Sequence, residues 1–259
     1  MSAPDGLLEA LDGAVEGTMA QGAVAIMFSG GLDSGLLAAL ARKHGAPRLV
    51  TVGLEGSHDM RMSEEAAAFL GLPWTALVMT PDEVIAACRE VLRTVRVQSP
   101  ITLSFELPLQ MIASRVEEEV LMSGQGADEL FGGYSRYLEM TSEEASARMA
   151  DDMAKMLSEV LPLEDDLARR YGKTVDRPFL DPQVRKVAAS IPAGEKIRGG
   201  VRKAPLRDVA ASIGAELLAS REKKAAQYGT GFMKVLKSRA REERLTVEEF
   251  VSTLAPGAI

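Results

Sequence analysis

The segment Phe28-Ser29-Gly30-Gly31-Leu32-Asp33-Ser34 constrains this chain more than any other. An apolar run, Ala23 to Phe28, leads into the two glycines, and a helical pattern, Leu36 to Lys43, follows them. A short apolar run bounded by glycine reads as a buried strand. Glycine lets backbone approach an anion closely, and a helix N-terminus offers N–H groups that have no partner inside the helix. Ser29 and Ser34 add hydroxyl donors. The segment therefore predicts strand, anion-binding turn and helix. It is not the Walker loop, because no Gly-Lys-Ser/Thr follows. Asp33 would repel a phosphate unless a cation lay between them, which points to magnesium. The other reading of Asp33 is an N-terminal cap for the helix.

The same alternation continues along the chain. Strands are expected at Leu49 to Leu54, Trp74 to Met79 and Glu119 to Met122. Helices are expected at Leu7 to Met19, Glu64 to Leu70, Pro81 to Arg93 and Pro108 to Val116. This order predicts an α/β fold, a mostly parallel sheet with helices on both faces. After about Arg136 the strand signals stop, and segments such as Glu143 to Val160 and Val184 to Ser190 read as helices. A single domain over residues 1–259 is expected, with an α/β core over about 20–135 and a helical layer over about 136–259.

A second glycine-rich turn, Ser123-Gly124-Gln125-Gly126-Ala127-Asp128-Glu129-Leu130-Phe131-Gly132-Gly133-Tyr134, also follows a strand and opens a helix. Ligands of parallel sheets bind beyond the carboxyl ends of the strands, where both turns are expected. Asp33 and Asp128 could then meet at one magnesium ion, with phosphate oxygens completing its shell. Acids are also favoured in a first helical turn, which would explain Asp128 and Glu129 without a ligand but not the small residues around them.

Composition excludes several classes. No apolar run approaches the ~20 residues that cross a bilayer. Met1 to Gly13 has three acidic residues and no basic one, so no signal peptide and a cytoplasmic address are expected. The lone Cys88 cannot form an internal disulfide and sits in an apolar helical stretch, as a core residue would. The formal charge of -7 argues against broad nucleic-acid binding and fits small-molecule substrates. Lys196 to Arg244 is nevertheless basic, with 13 basic and 5 acidic residues.

Ser29 to Ser34 resembles the pyrophosphate-binding loop of the N-type ATP pyrophosphatases, and the fold that this implies is adenine nucleotide alpha hydrolase-like. Ser123 to Tyr134 is similar to the asparagine synthetase and β-lactam synthetase branch. Val52 to Asp59, Arg177 to Asp181, Lys203 to Arg207 and Arg221-Glu222-Lys223 resemble further blocks of that branch. The resemblance covers about residues 20–235. It implies that Ser29, Gly30, Gly31, Asp33 and Ser34 hold the pyrophosphate of ATP. It also implies that Met27, Val52, Ser123 and Gly124 line the adenosine pocket, and that Asp33 and Asp128 hold Mg2+. Lys223 would steady the leaving pyrophosphate, with Gln125 and Asp128 beside the reaction. The implied reaction adenylates a carboxylate, releases pyrophosphate and passes the acyl group to an amine, releasing AMP.

The chain departs from that pattern in four places, one of them the shifted arginine of the later block, Arg177, which directly precedes Pro178. Ser29 comes too early for a glutaminase half to precede it, so free ammonia, another amine or a separate glutaminase subunit is the expected nitrogen source. Gln125 stands where asparagine synthetases have a glutamate and β-lactam synthetases a tyrosine. Ser104 stands where asparagine synthetases have an arginine, with Glu106 nearby. Two alternatives follow: a nucleotide-binding regulatory subunit without amidation, and a tRNA-modifying enzyme of the same superfamily. A homodimer is compatible with the resemblance.

Overall fold

The computed structural model describes residues 6–97, 99–221 and 229–256. Helix α1 (Leu7–Met19) precedes strand β1 (Val24–Met27), and α2 (Leu32–Ala41), β2 (Arg48–Leu54), α3 (His58–Leu70) and β3 (Trp74–Met79) alternate after it. Helices α4 (Pro81–Thr94) and α5 (Pro100–Ala113) lead to β4 (Val120–Met122), the short α6 (Ala127–Phe131) and α7 (Ser142–Lys155). A single π turn, Met156–Val160, joins α7 to α8 (Leu161–Arg169).

Strand β5 (Thr174–Asp176) and a 3₁₀ turn, Pro178–Leu180, precede α9 (Pro182–Ser190), α10 (Ala193–Lys196), α11 (Ala204–Ser212) and α12 (Glu216–Ala219). The last two described helices are α13 (Phe232–Glu242) and α14 (Val247–Leu254). The strands form one sheet in the order β3-β2-β1-β4-β5, and every pairing is parallel.

Alternation along the strands sorts the core into two layers, because successive side chains of a strand point to opposite faces. Val24 and Ile26 of β1, Leu49 of β2, and Val120 and Met122 of β4 pack with α1, α2, α3, α9, α11 and α12. Ala25, Val50, Val52 and Leu121 pack on the other face with α4, α5, α8, α13 and α14. Helices cover both faces, as the strand and helix alternation predicts. Cys88 is fully buried in the second layer, and burial pushes its thiol up to about 12, which keeps it a protonated core residue. Among the described residues no helix is long and apolar enough to cross a membrane.

Two expectations are corrected. Strand signals do not stop at Arg136: β5 adds a fifth strand at the sheet edge. It is three residues long and holds only one aliphatic side chain, Val175, too short a pattern to read in sequence. Helix α5 starts at Pro100 rather than Pro108. Ser99 caps it by accepting the Thr102 N–H, and Pro108 lies inside a helix whose burial outweighs the lost hydrogen bond.

Candidate active site

The first glycine turn lies between β1 and α2. Gly30 has φ 70°, the left-handed region, and a Cβ there would run into the backbone of Met62 and Ser63. The turn is closed by its own hydroxyls: Ser34 Oγ accepts the Ser29 N–H at 3.3 Å and meets Ser29 Oγ at 3.3 Å. A second tie comes from far along the chain. The buried Arg221 donates to the Gly30 carbonyl and, at 2.7 Å, to the Met62 carbonyl. Its other terminal nitrogen pairs with Glu65 at 3.0 Å.

The second glycine turn lies between β4 and α6 and abuts the first. A Cβ on Gly124 would sit 3.1 Å from Asp33 Cβ. The two acids singled out by sequence are brought together, and a lysine stands between them. Lys203 Nζ is 2.6 Å from Asp33 Oδ2 and 2.7 Å from Asp128 Oδ1. The lysine side chain is 3% exposed. Burial opposes its charge, but Asp128 and Asp33 outweigh that and hold its pKa above the ordinary lysine value. Lys203 has φ 55°, rare for a residue with a side chain, at the entry to α11. Gly133 leaves room for the arrangement, since a Cβ there would collide with Asp128 and Lys203.

Magnesium fits this site. Two converging carboxylates suit a hard cation whose remaining ligands are water and phosphate oxygen. Asp33 Oδ1 is buried and has no hydrogen-bond partner among the described residues, so one acceptor is still open to a cation.

The other assigned residues fall around these turns. Met27 ends β1, Val52 is buried in β2, and Ser123 and Gly124 directly follow β4. Ser123 Oγ accepts the Gln125 N–H at 3.3 Å. Lys223 lies outside the described residues. The residues before and after that segment are both docked at the site: Arg221 on the Gly30 carbonyl, and Thr230, whose carbonyl accepts the Leu54 N–H at 2.9 Å.

Sequence reasoning missed a buried network around Gln125. Its amide nitrogen donates to Glu164 Oε1, and its amide oxygen accepts from Arg177 Nε at 2.8 Å. Arg177 also pairs with Glu164 at 3.0 Å and Asp165 at 2.8 Å. Glu106 of α5 feels both Glu164 and Arg177: burial and then Glu164 push its carboxyl up to about 9, against the pull of Arg177. The one available signal was the position of Arg177 directly before Pro178; its acidic partners come from α8, which no local pattern links to it. Glu129, next to Asp128, accepts the Tyr134 hydroxyl at 2.5 Å, and burial raises its pKa.

Comparison with known proteins agrees with this geometry. The family model described as asparagine synthase matches residues 6–150 and 140–253. A putative glutamine-hydrolysing asparagine synthetase 1 of Methanocaldococcus jannaschii is 30% identical, over 89% of this chain and 50% of that protein. Glutamine-hydrolysing asparagine synthetase B of Escherichia coli is 26% identical, over 80% of this chain and 41% of that protein. The chain spans about half the length, or less, of these curated relatives. A solved structure of an NMN synthetase from Francisella tularensis covers 98% of this chain and 87% of that one, with TM-score 0.48 and 12% identity, too slight a likeness to add to the fold.

Proposed function

The chain belongs to the asparagine synthase family, and from that premise we propose that it is an ATP-dependent ligase that forms an amide and releases AMP and pyrophosphate. A carboxylate substrate, aspartate or a related acid, attacks the α-phosphate of ATP, and ammonia or another amine then displaces AMP. The observation that carries this reading is the convergence of both glycine turns on Asp33, Asp128 and Lys203.

In this reading Ser29, Gly30, Gly31 and Ser34 surround the pyrophosphate with N–H and hydroxyl donors, at the start of α2 where anions are favoured. Met27, Val52, Ser123 and Gly124 border the adenosine. Asp33 and Asp128 would hold magnesium, which offsets the phosphate charge. Lys203 adds a fixed positive charge beside them, and Lys223 is a second cation for the leaving pyrophosphate. The nitrogen comes from free ammonia, from another amine or from a separate glutaminase subunit; the relatives named above are described as glutamine-hydrolysing and are about twice as long or more. A homodimer is also part of this proposal.

The test is ATP–pyrophosphate exchange across a panel of amino acids and other carboxylates. Exchange that depends on one carboxylate supports the reading, and none with any carboxylate defeats it. A second reading, a nucleotide-binding subunit without amidation, draws on one observation: both ends of the Gln125 amide are already held, by Glu164 and Arg177. Carboxylate-dependent exchange with no amide from any amine would favour it.

A further inference from the structure

The buried polar network behind Gln125 has more acceptors than donors. Arg177 spends its guanidinium on Gln125, Glu164, Asp165 and the Val175 carbonyl. Glu106 lies beside this group, is 1% exposed, and its Oε2 has no hydrogen-bond partner among the described residues. One helical turn further along α5, Gln110 is 5% exposed. Its amide nitrogen donates to the Tyr171 hydroxyl at 2.9 Å, which leaves its Oε1 buried and also unpartnered. Residues four apart on a helix lie on one face, so the two open acceptors belong to side chains on the same face of α5.

Buried acceptors are normally matched by donors, and a carboxylate is the costliest of them to leave open. Burial and Glu164 keep the unliganded Glu106 carboxyl protonated up to about pH 9, so a partner that brings N–H donors and positive charge together would let it ionise. Asp165 is a further carboxylate already bound to Arg177, an acceptor that supplies neither. A bound water would give two donors and no charge. A protonated nitrogen gives several donors and a charge at once. The place is also right: Glu106 acts on Glu164 and Arg177, which hold Gln125, and Gln125 follows Gly124, which packs on Asp33.

We propose that Glu106 and the Gln110 amide oxygen form a subsite for a protonated nitrogen, an ammonium ion or a primary amine, facing the acyl-transfer position. This assignment rests on the proposed ligase reading. The nitrogen has two sources in that reaction: the attacking ammonia or amine, and an amino group carried by the carboxylate substrate. The subsite also accounts for a carboxylate near the place where the resemblance leads one to expect an arginine: a site that offers an anion selects a cationic group.

The first experiment needs no turnover. Thermal unfolding of the whole protein is followed in ammonium chloride, methylammonium chloride, potassium chloride and sodium chloride at equal ionic strength. Ammonium and methylammonium should raise Tm above the sodium and potassium values, and Glu106→Gln should abolish the difference while leaving the protein folded. Gln110→Leu should reduce it. An equal effect of potassium, or no difference between the salts, overturns the subsite.

The second experiment assigns the source. A charged hydrogen bond lost in Glu106→Gln should raise one KM about tenfold or more. A rise in the KM for ammonium, with pyrophosphate exchange unchanged, identifies the attacking nitrogen. A rise in the KM for the carboxylate in exchange identifies the substrate amino group. If neither moves although the unmodified protein is active, the subsite is wrong. If the unmodified protein shows no exchange at all, the ligase reading fails instead, and the salt series still judges the subsite.

Discussion

Lys203 and Asp33 are 170 residues apart in sequence and 2.6 Å apart in space. With Asp128 on its other side, the lysine occupies the midpoint of two carboxylates that would otherwise repel each other. It keeps the acids together. Lys203→Met should therefore cost about 3–5 kcal/mol or less, as for a broken buried ion pair, with partial exposure of the acids lowering the value. Magnesium alone should raise the Tm of Lys203→Met more than that of the unmodified protein, because the acids then lack their resident cation. Differential scanning calorimetry with and without magnesium checks this, and an equal response in both proteins counts against it.

Asp33→Asn removes one carboxylate from this pair and leaves Lys203 with Asp128. MgATP binding should weaken and pyrophosphate exchange should vanish, with circular dichroism unchanged. Calorimetric titration with MgATP and the exchange assay read the two effects. Unchanged exchange would remove Asp33 from the proposed metal site.

Gly30→Ala tests the turn itself. The left-handed φ and the nearby Met62 backbone both oppose a side chain there. A loss of at least about 1 kcal/mol is expected from the backbone conformation alone. ATP affinity should fall with it, and denaturant unfolding together with nucleotide titration measures both.

Gln125→Glu would set a carboxylate against Glu164, replacing a hydrogen-bond donor with a second negative charge. The single guanidinium of Arg177, which already pairs with Glu164 and Asp165, would then serve three acids. The substitution should lower stability by about 1–3 kcal/mol, the usual cost of leaving a buried polar group unsatisfied. A gain in stability would show that the network tolerates another acid.

Asp59, in the first turn of α3, has its carboxyl pushed up to about 7 by burial. The folded state thus holds a proton that the unfolded chain releases near pH 4. The unfolded state binds fewer protons across that window, so stability falls as pH rises from about 4 to about 7 and is level above it. Asp59→Asn should flatten that slope. Urea denaturation over the pH series measures it, and an unchanged slope would place the origin elsewhere.

Local chemistry made much of this legible. β1, Gly30, Gly31 and Asp33 announce themselves within a dozen residues, as do β4 and the second glycine turn. The outer strand β5 was not legible, because three residues with one aliphatic side chain leave no periodicity to read. Nor was the partner of Gln125. Arg177 and Glu164 meet it across 52 and 39 residues of chain, and only tertiary packing decides that contact. Lys203 was readable as one cation in a basic stretch, but its place between two acids was not.

Arg221 and the Gly30 carbonyl are separated by 191 residues, and this contact sets the order in which the molecule can mature. The glycine turn is made well before its brace, which follows it by 191 residues. Until then its side chains tie it through hydroxyl contacts: Ser34 Oγ with the Ser29 N–H and Ser29 Oγ, and Ser29 Oγ with the Gly31 N–H. Contacts this distant in sequence slow folding. A nascent chain stalled before Arg221 should accordingly show the sheet's hydrophobic burial without a braced glycine turn, so the proposed nucleotide site would be completed late in synthesis.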